Sequence, residues 1–183
     1  MGYLNSEYTT LKHGDVAPHF VLWGVDEVYH DLQEIKGKKG TLIIFMCNHC
    51  PAVKPKIPEI GRIARDFKSR GITVIGINAN ESLNYPDDSF EKMQECFQKW
   101  GVDFYYIHDD AQATAKSYGA VCTPDPFFFD GDLKLLFHSR IDDTHLKEEA
   151  GKHEMYEAIG EYLKTGRISQ KEQSSMGCSI KWR

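Results

Sequence analysis

"TLIIFMCNHCPAVKPKIPEIGRIARDFKSRG", residues 41–71, sets two cysteines between an apolar run and an amphipathic one. The run Thr41–Met46 is continuous, includes β-branched residues and has strand length, the pattern of a strand covered on both faces. After Cys50 the apolar residues Ile57, Ile60, Ile63, Ala64 and Phe67 recur at helical spacing, and Gly71 supplies a C-cap. The spacing predicts a helix that follows the cysteines directly. Pro55 falls inside that helix or at its start, where its missing N–H bends the axis. A CxxC between strand and helix puts the first sulfur at a helix N-terminus, where free N–H groups and the dipole favour an anion. Cys47 is therefore the expected thiolate nucleophile, and Cys50 the thiol that resolves its mixed disulfide. His49, between them, can add positive charge beside the thiolate, and Pro51 follows directly.

The same pair admits other readings. A CxxC can be half a zinc site, which needs a second pair or two histidines at definite spacing. The sequence has no second pair, so Cys122, His49 and His108 could complete a site only by their position in space, and no metal ligand set is assigned. Alternatively, one cysteine reduces peroxide and a neighbouring thiol resolves its sulfenic acid. Either redox reading uses sulfur alone and calls for no cofactor.

Outward from the pair, "ITVIGIN" (72–78) reads as a second buried strand, and "DDSFEKMQECFQKWG" (87–101) as a helix capped by Asp88 with Glu91 three residues on. Phe90, Met93, Phe97 and Trp100 share one face of that helix, and Cys96 beside them is expected in the core. "FYYI" (104–107) is a short strand and "DAQATAKSYG" (110–119) a short helix stopped by Gly119. "DPFFFDGDLKLLFHS" (125–139) gives two strands around a turn at Asp130–Asp132, and "HLKEEAGKHEMYEAIGEYLKTG" (145–166) a last helix. Before the pair, "HFVLWGVDEVYHDL" (19–32) reads as two extended segments around a turn at Gly24–Asp26. Strands alternating with helices, then a hairpin, imply an α/β fold: a mixed sheet with helices on both faces, an N-terminal β extension and a C-terminal tail.

The chain has 183 residues, with 41% hydrophobic, 27% charged and 12% aromatic, which suits one globular domain. We divide it into an N-terminal segment 1–13, a domain 14–168, and a tail 169–183 carrying Cys178. A net charge of −5 with dispersed lysines and arginines argues against nucleic acid as partner. No apolar run approaches membrane-span length, so no membrane partner is expected. The start lacks the features of a signal peptide, and the odd count of five cysteines argues against a disulfide framework; both favour the cytoplasm. The opening "MGYLNS" fits a myristoylation pattern, one short enough to arise by chance.

The strand, "CNHC", the helix bearing Pro55 and "YGAVCTPDPFFFD" (118–130) before a hairpin resemble the thioredoxin fold. The stretch from Gly14 to Phe45 is similar to the opening of the redoxin group, which includes the alkyl hydroperoxide reductase and thiol-specific antioxidant proteins. "FMCNHCP", "DDSFEKM", "CTPD", "RIDD" and "GCSIKW" look more narrowly like a bacterial subgroup of thioredoxin-like redoxins. The resemblance implies a thiol–disulfide oxidoreductase acting in redox homeostasis, with Cys47 and Cys50 at the redox positions. Its partner would be a protein or a low-molecular-weight thiol or disulfide. Thr123 and Pro124 would occupy the cis-proline loop, with His49 and Pro51 supporting the pair. The alternatives are an antioxidant, peroxiredoxin-like thiol peroxidase acting on peroxide, and a metal-binding module on the same fold.

Two departures matter. The buried aspartate that thioredoxins carry in the strand before the first cysteine has no counterpart in "TLIIFM", so the proton acceptor for Cys50 is open. When Cys50 is aligned with the peroxidatic cysteine of peroxiredoxins, Ile43 stands where their proline belongs and Cys47 where their hydroxyl residue belongs. Arg140 is the candidate for their thiolate-stabilising arginine, or else pairs with Asp142 or Asp143. Cys122, beside the proline loop, either tunes the pair or packs as a small buried residue. Cys178 is either a third thiol brought over the site by "SIKW", as resolving cysteine or lid, or part of a frayed end. The histidines other than His49 are expected to be solvated.

Overall fold

The computed structural model describes residues 2–144 and 150–183; His145, at the head of the last predicted helix, lies outside them. In chain order the described elements are β1 (Tyr3–Asn5), β2 (Val21–Gly24), β3 (Tyr29–Asp31), α1 (Leu32–Ile35), β4 (Gly40–Phe45), α2 (Ile57–Lys68), β5 (Ile72–Asn78) and α3 (Phe90–Trp100). There follow β6 (Tyr105–His108), α4 (Ala113–Tyr118), β7 (Cys122–Thr123), β8 (Asp125–Asp130), β9 (Leu135–His138), α5 (Glu154–Thr165) and β10 (Met176–Ser179). A seven-stranded sheet has the order β3-β2-β6-β5-β4-β8-β9. Its centre, β4-β5-β6, is parallel, and the flanking strands β2 and β8 are antiparallel to their neighbours, giving the mixed sheet expected. A second sheet has three strands, β1-β10-β7.

The apolar run forms β4, whose six residues are all buried, because each face of the pleat has its own core. Leu42, Ile44 and Met46 point to the side covered by α2 and α5, where Ile60, Ile63, Phe67, Met155 and Ile159 pack. Ile43 and Phe45 point to the other side, with Ala115 and Tyr118 of α4. β8 alternates in the same way: Phe128 joins the first core, Phe127 and Phe129 the second.

Several local expectations need correction. The helix after the cysteines begins only at Ile57: residues 54–56 form a single 3₁₀ turn, and Pro58, not Pro55, sits in the first turn of α2. A proline gives up an N–H without loss only in a helix's first turn, so two prolines three residues apart delay the α ladder until the second one. α3 is capped by Ser89, whose side chain accepts from Lys92 N–H; Asp88 is drawn away to other partners. Cys96 is half-buried. His138 is buried rather than solvated, since β9 turns it inward to bond Asp125 at 2.7 Å and stack on Phe127 at 3.9 Å. No helix among the described residues is long and apolar enough to cross a membrane.

Phe128 fills the space above Gly40, where an added Cβ would lie 2.9 Å from its ring, and meets the Tyr162 ring edge-on at 5.5 Å. Phe128→Ala should therefore cost about 3–5 kcal/mol, read as a lower midpoint in equilibrium denaturant unfolding.

Candidate active site

β4 ends at Phe45, so the "CNHC" loop leaves the sheet where the parallel strands end. Asn48 pins it. Its N–H donates to Asp88 Oδ1 (2.8 Å), its Nδ2 to the Asp87 carbonyl (2.9 Å), and its Oδ1 accepts from the Tyr106 hydroxyl (2.7 Å). The Cys50 carbonyl then accepts from Val53 and Lys54 N–H, which turns the chain toward α2. Opposite lies Thr123, joined to Pro124 by a cis peptide bond as the resemblance implies.

Both sulfurs are fully buried: Cys47 and Cys50 are each 0% exposed. Cys47 Sγ lies 3.4 Å from the Thr123 hydroxyl. Cys50 Sγ lies 3.4 Å from the Thr123 carbonyl oxygen, a contact that suits a thiol, and accepts from Ala52 N–H at 3.4 Å, a contact that suits a thiolate. Cys178 Sγ lies 2.6 Å from Cys50 Sγ. The two sulfurs titrate as a coupled pair. The hydrogen bond to Cys47 is the largest influence on Cys50 and lowers its pKa to about 5; the same bond to Cys50 is the largest influence on Cys47 and raises its pKa well above the usual thiol range. Both thiols are desolvated, but Cys50 has the additional donors, Cys178 and Ala52 N–H, which favour its charged form, whereas the Asp88 carboxylate adds to what raises Cys47. The α-helical N-terminus expected to favour a Cys47 thiolate begins only at Ile57, seven residues after Cys50, and the additional donors gather around Cys50 Sγ instead.

Asp88 is the residue that sequence reasoning missed. Its carboxylate is buried, accepting from Asn48 N–H through Oδ1 and from Asn80 Nδ2 through Oδ2 at 2.7 Å. His49 Nδ1 lies 2.6 Å from Asp88 Oδ2, yet neither ring nitrogen is aligned for a hydrogen bond, so the contact is an ion pair by proximity. The His49 ring also stacks near Tyr85, at 6.2 Å. Interaction with Asp88 raises the His49 pKa against the opposing effect of burial. Burial pushes the Asp88 carboxyl up, but His49, Asn80 and the Asn48 amide together outweigh it and hold the carboxyl below its usual range. The available signal was a choice: Asp88 and Ser89 are adjacent cap candidates and only one can cap, so the other is free.

Cys47, His49 and Asp88 each present a ligand atom within 4.8 Å of the others, close enough for one cation. The Asp88 oxygens also accept hydrogen bonds from Asn48 N–H and Asn80 Nδ2. His108, the other histidine considered for a metal, stands at the end of β6 against Phe90.

The remaining candidates fall at varying distance from the pair. Pro51 is exposed and lines, with Ala52, Pro55, Lys56, Arg140 and Met176, a cleft of about 560 Å³ beside the loop. Arg140 gives Nε and Nη2 to Glu154, in place of the thiolate role considered for it, and Asp142 is bonded by Lys56. Cys122 is buried, and burial pushes its thiol far above the usual range, so it stays protonated.

Removing the Asp88 charge removes what raises the His49 pKa. In Asp88→Asn the imidazole should therefore titrate at lower pH than in the parent protein, as followed by NMR of the ring protons; an unchanged titration would show that Asp88 does not hold the charge.

The redoxin family model matches residues 12–152. A thiol-disulfide oxidoreductase ResA of Geobacillus kaustophilus is 27% identical over 150 residues, covering 81% of this chain and 79% of the relative. Among solved structures, an uncharacterised conserved protein of Geobacillus kaustophilus superposes with a TM-score of 0.90 at 37% identity, over 100% of this chain and 97% of that one. A hypothetical protein of Sinorhizobium meliloti gives a TM-score of 0.91 at 29% identity, over 98% of each chain. The thioredoxin-like sheet, the buried cysteine pair and the family match agree, and the chain belongs to the redoxin family.

Proposed function

We propose that the chain is a thiol–disulfide oxidoreductase in which Cys47 and Cys50 cycle between dithiol and disulfide. The observation that carries the proposal is the buried Cys47–Cys50 pair set against Thr123 before the cis-proline, with Cys178 and Ala52 N–H at the Cys50 sulfur. The name of the ResA relative supports the same chemistry. The Cys50 thiolate attacks one sulfur of a substrate disulfide, forming a mixed disulfide and releasing the first substrate thiolate. Cys47 then loses its proton to the released thiolate and attacks Cys50 Sγ. The Cys47–Cys50 bond forms and the second substrate sulfur leaves as a thiolate, so two electrons pass from the pair to the substrate. The reverse sequence oxidises a dithiol. His49 and Asp88 fix the charge beside Cys47, and Thr123 contacts both sulfurs.

The partner is a protein or low-molecular-weight thiol or disulfide, and the role is redox homeostasis. A peroxide substrate gains no such support, because Cys47 stands where a positioning hydroxyl would be required and Arg140 is engaged by Glu154. A cytoplasmic setting belongs to the same proposal and rests on the odd number of cysteines.

An acidic thiolate stabilises the reduced form, so the pair should have a potential less reducing than the roughly −270 mV of thioredoxin, measured in glutathione redox buffers. A more negative value would sink the account of the pair's charge. The thiolate fraction should rise with pH through about 5 in the reduced protein, seen by thiolate ultraviolet absorbance, and disulfide exchange should slow as pH falls through that value. Cys47→Ser, which keeps a donor to Cys50, should retain the acidic transition, and Cys50→Ser should lose it.

A further inference from the structure

The covering over the buried pair is the chain's own C-terminus. β10 runs antiparallel to β7, setting Cys178 opposite Thr123 and Ser179 opposite Cys122, and pairs with β1 along its other edge. Its main chain thus adds a strand to the segment just before Pro124, as an extended peptide adds to a sheet edge. Gly177 permits the approach: a Cβ there would lie 1.8 Å from the Thr123 carbonyl oxygen. The next residue brings Cys178 Sγ to 2.6 Å from Cys50 Sγ, inside van der Waals contact of two sulfurs. The strand is anchored on both sides of the cysteine. Before it, Ser175 Oγ donates to the Pro124 carbonyl at 2.5 Å. After it, Ile180 is buried in the second core, and Lys181 N–H donates to Asn80 Oδ1 at 2.9 Å.

We propose that β10 is an internal substrate strand and Cys178 a third redox thiol that exchanges disulfides with Cys50. The inference rests on the Cys47–Cys50 pair of the proposed function. In the oxidised protein, Cys178 gives up its proton and attacks Cys50 Sγ; the Cys50–Cys178 bond forms, the Cys47–Cys50 bond breaks, and Cys47 leaves as a thiolate that takes the proton. No electrons enter or leave the chain. In the reduced protein, burial and the neighbouring Cys50 push the Cys178 thiol up to about 12. An outside substrate reaches Cys50 by replacing β10 on β7. The substrate class that fits is an extended protein segment with a glycine immediately before its cysteine.

Cys47 and Cys50 share one tryptic peptide, so a bond from it to the peptide carrying Cys178 appears as a separate mass that reduction abolishes. Cys47→Ala and Cys178→Ala proteins are oxidised while folded with oxidised glutathione, alkylated, and digested without reduction for mass spectrometry. In Cys47→Ala, Cys50 displaces one glutathione and Cys178 the second, so the linked peptides should dominate. Adding Gly177→Ala to that variant should remove most of the link by lifting the strand. Cys178→Ala should still form the Cys47–Cys50 bridge. If Cys47→Ala yields free thiols or a glutathione adduct without the link, or if Gly177→Ala leaves the link undiminished, the inference is overturned while a bridge in Cys178→Ala keeps the redox pair intact. Absence of that bridge overturns the proposed function, and this inference with it.

Discussion

A negative charge on a buried sulfur must be answered by donors inside the protein, because water is not there to solvate it. Cys50 meets this requirement with parts from three regions of the chain: the Cys47 thiol one turn back, the Ala52 amide just ahead, and Cys178 from the other end. The fold is what brings them to one point. β4 delivers the loop at the sheet's centre, β7 stands across from it, and β10 closes over both.

A second buried charge is managed beside the first. Asp88 accepts from the Asn48 amide and the Asn80 side chain and faces His49, so its charge is balanced within the loop it steadies. The arrangement bears on the proton question. Thioredoxins use a carboxylate in the strand before the pair; here β4 carries none, and the buried carboxylate that acts on Cys47 comes from just before α3. It lies on the Cys47 side, where it raises the Cys47 pKa and favours the protonated thiol. The same group therefore sharpens the difference between the two sulfurs.

The sheet was legible because its signal is local: β4 and β5 are mostly apolar runs, β8 centres on Phe127–Phe129, and Ile57, Ile60, Ile63, Ala64 and Phe67 form the buried stripe of α2. Cys47, Cys50, Thr123 and Pro124 were legible as a constellation through the resemblance. The start of α2 was not, because apolar spacing says which face is buried and not where the hydrogen-bond ladder begins; two prolines decided that. Asp88 was hidden by a plausible capping box with Glu91, a local pattern overruled by partners at positions 48, 49 and 80. The pairing of Cys178 with Cys50 spans 128 residues and had no local signal beyond the cysteine itself and "SIKW". His138 read as polar, yet Asp125 across the β8–β9 hairpin makes its burial tolerable.

Tethering changes what the terminal strand can do. A segment attached to the chain meets its site at an effective concentration on the order of millimolar for a short flexible linker, so even a weak strand pairing remains occupied against dilute partners. β10 is only four residues long and contributes a short ladder to β7, but Ile180 and the Asn80 contact hold its far end in place. Separating Gly177–Cys178 from Thr123 while Ile180 stays seated exposes the sulfurs at less cost than releasing the whole tail. A competing peptide then gains only if its own ladder and side-chain contacts exceed that local advantage. Small thiols cannot form a ladder, so they depend on spontaneous opening of β10, whereas an extended protein strand can displace it residue by residue. On the proposed exchange, the covered site would discriminate by the partner's backbone before it discriminates by the partner's sulfur.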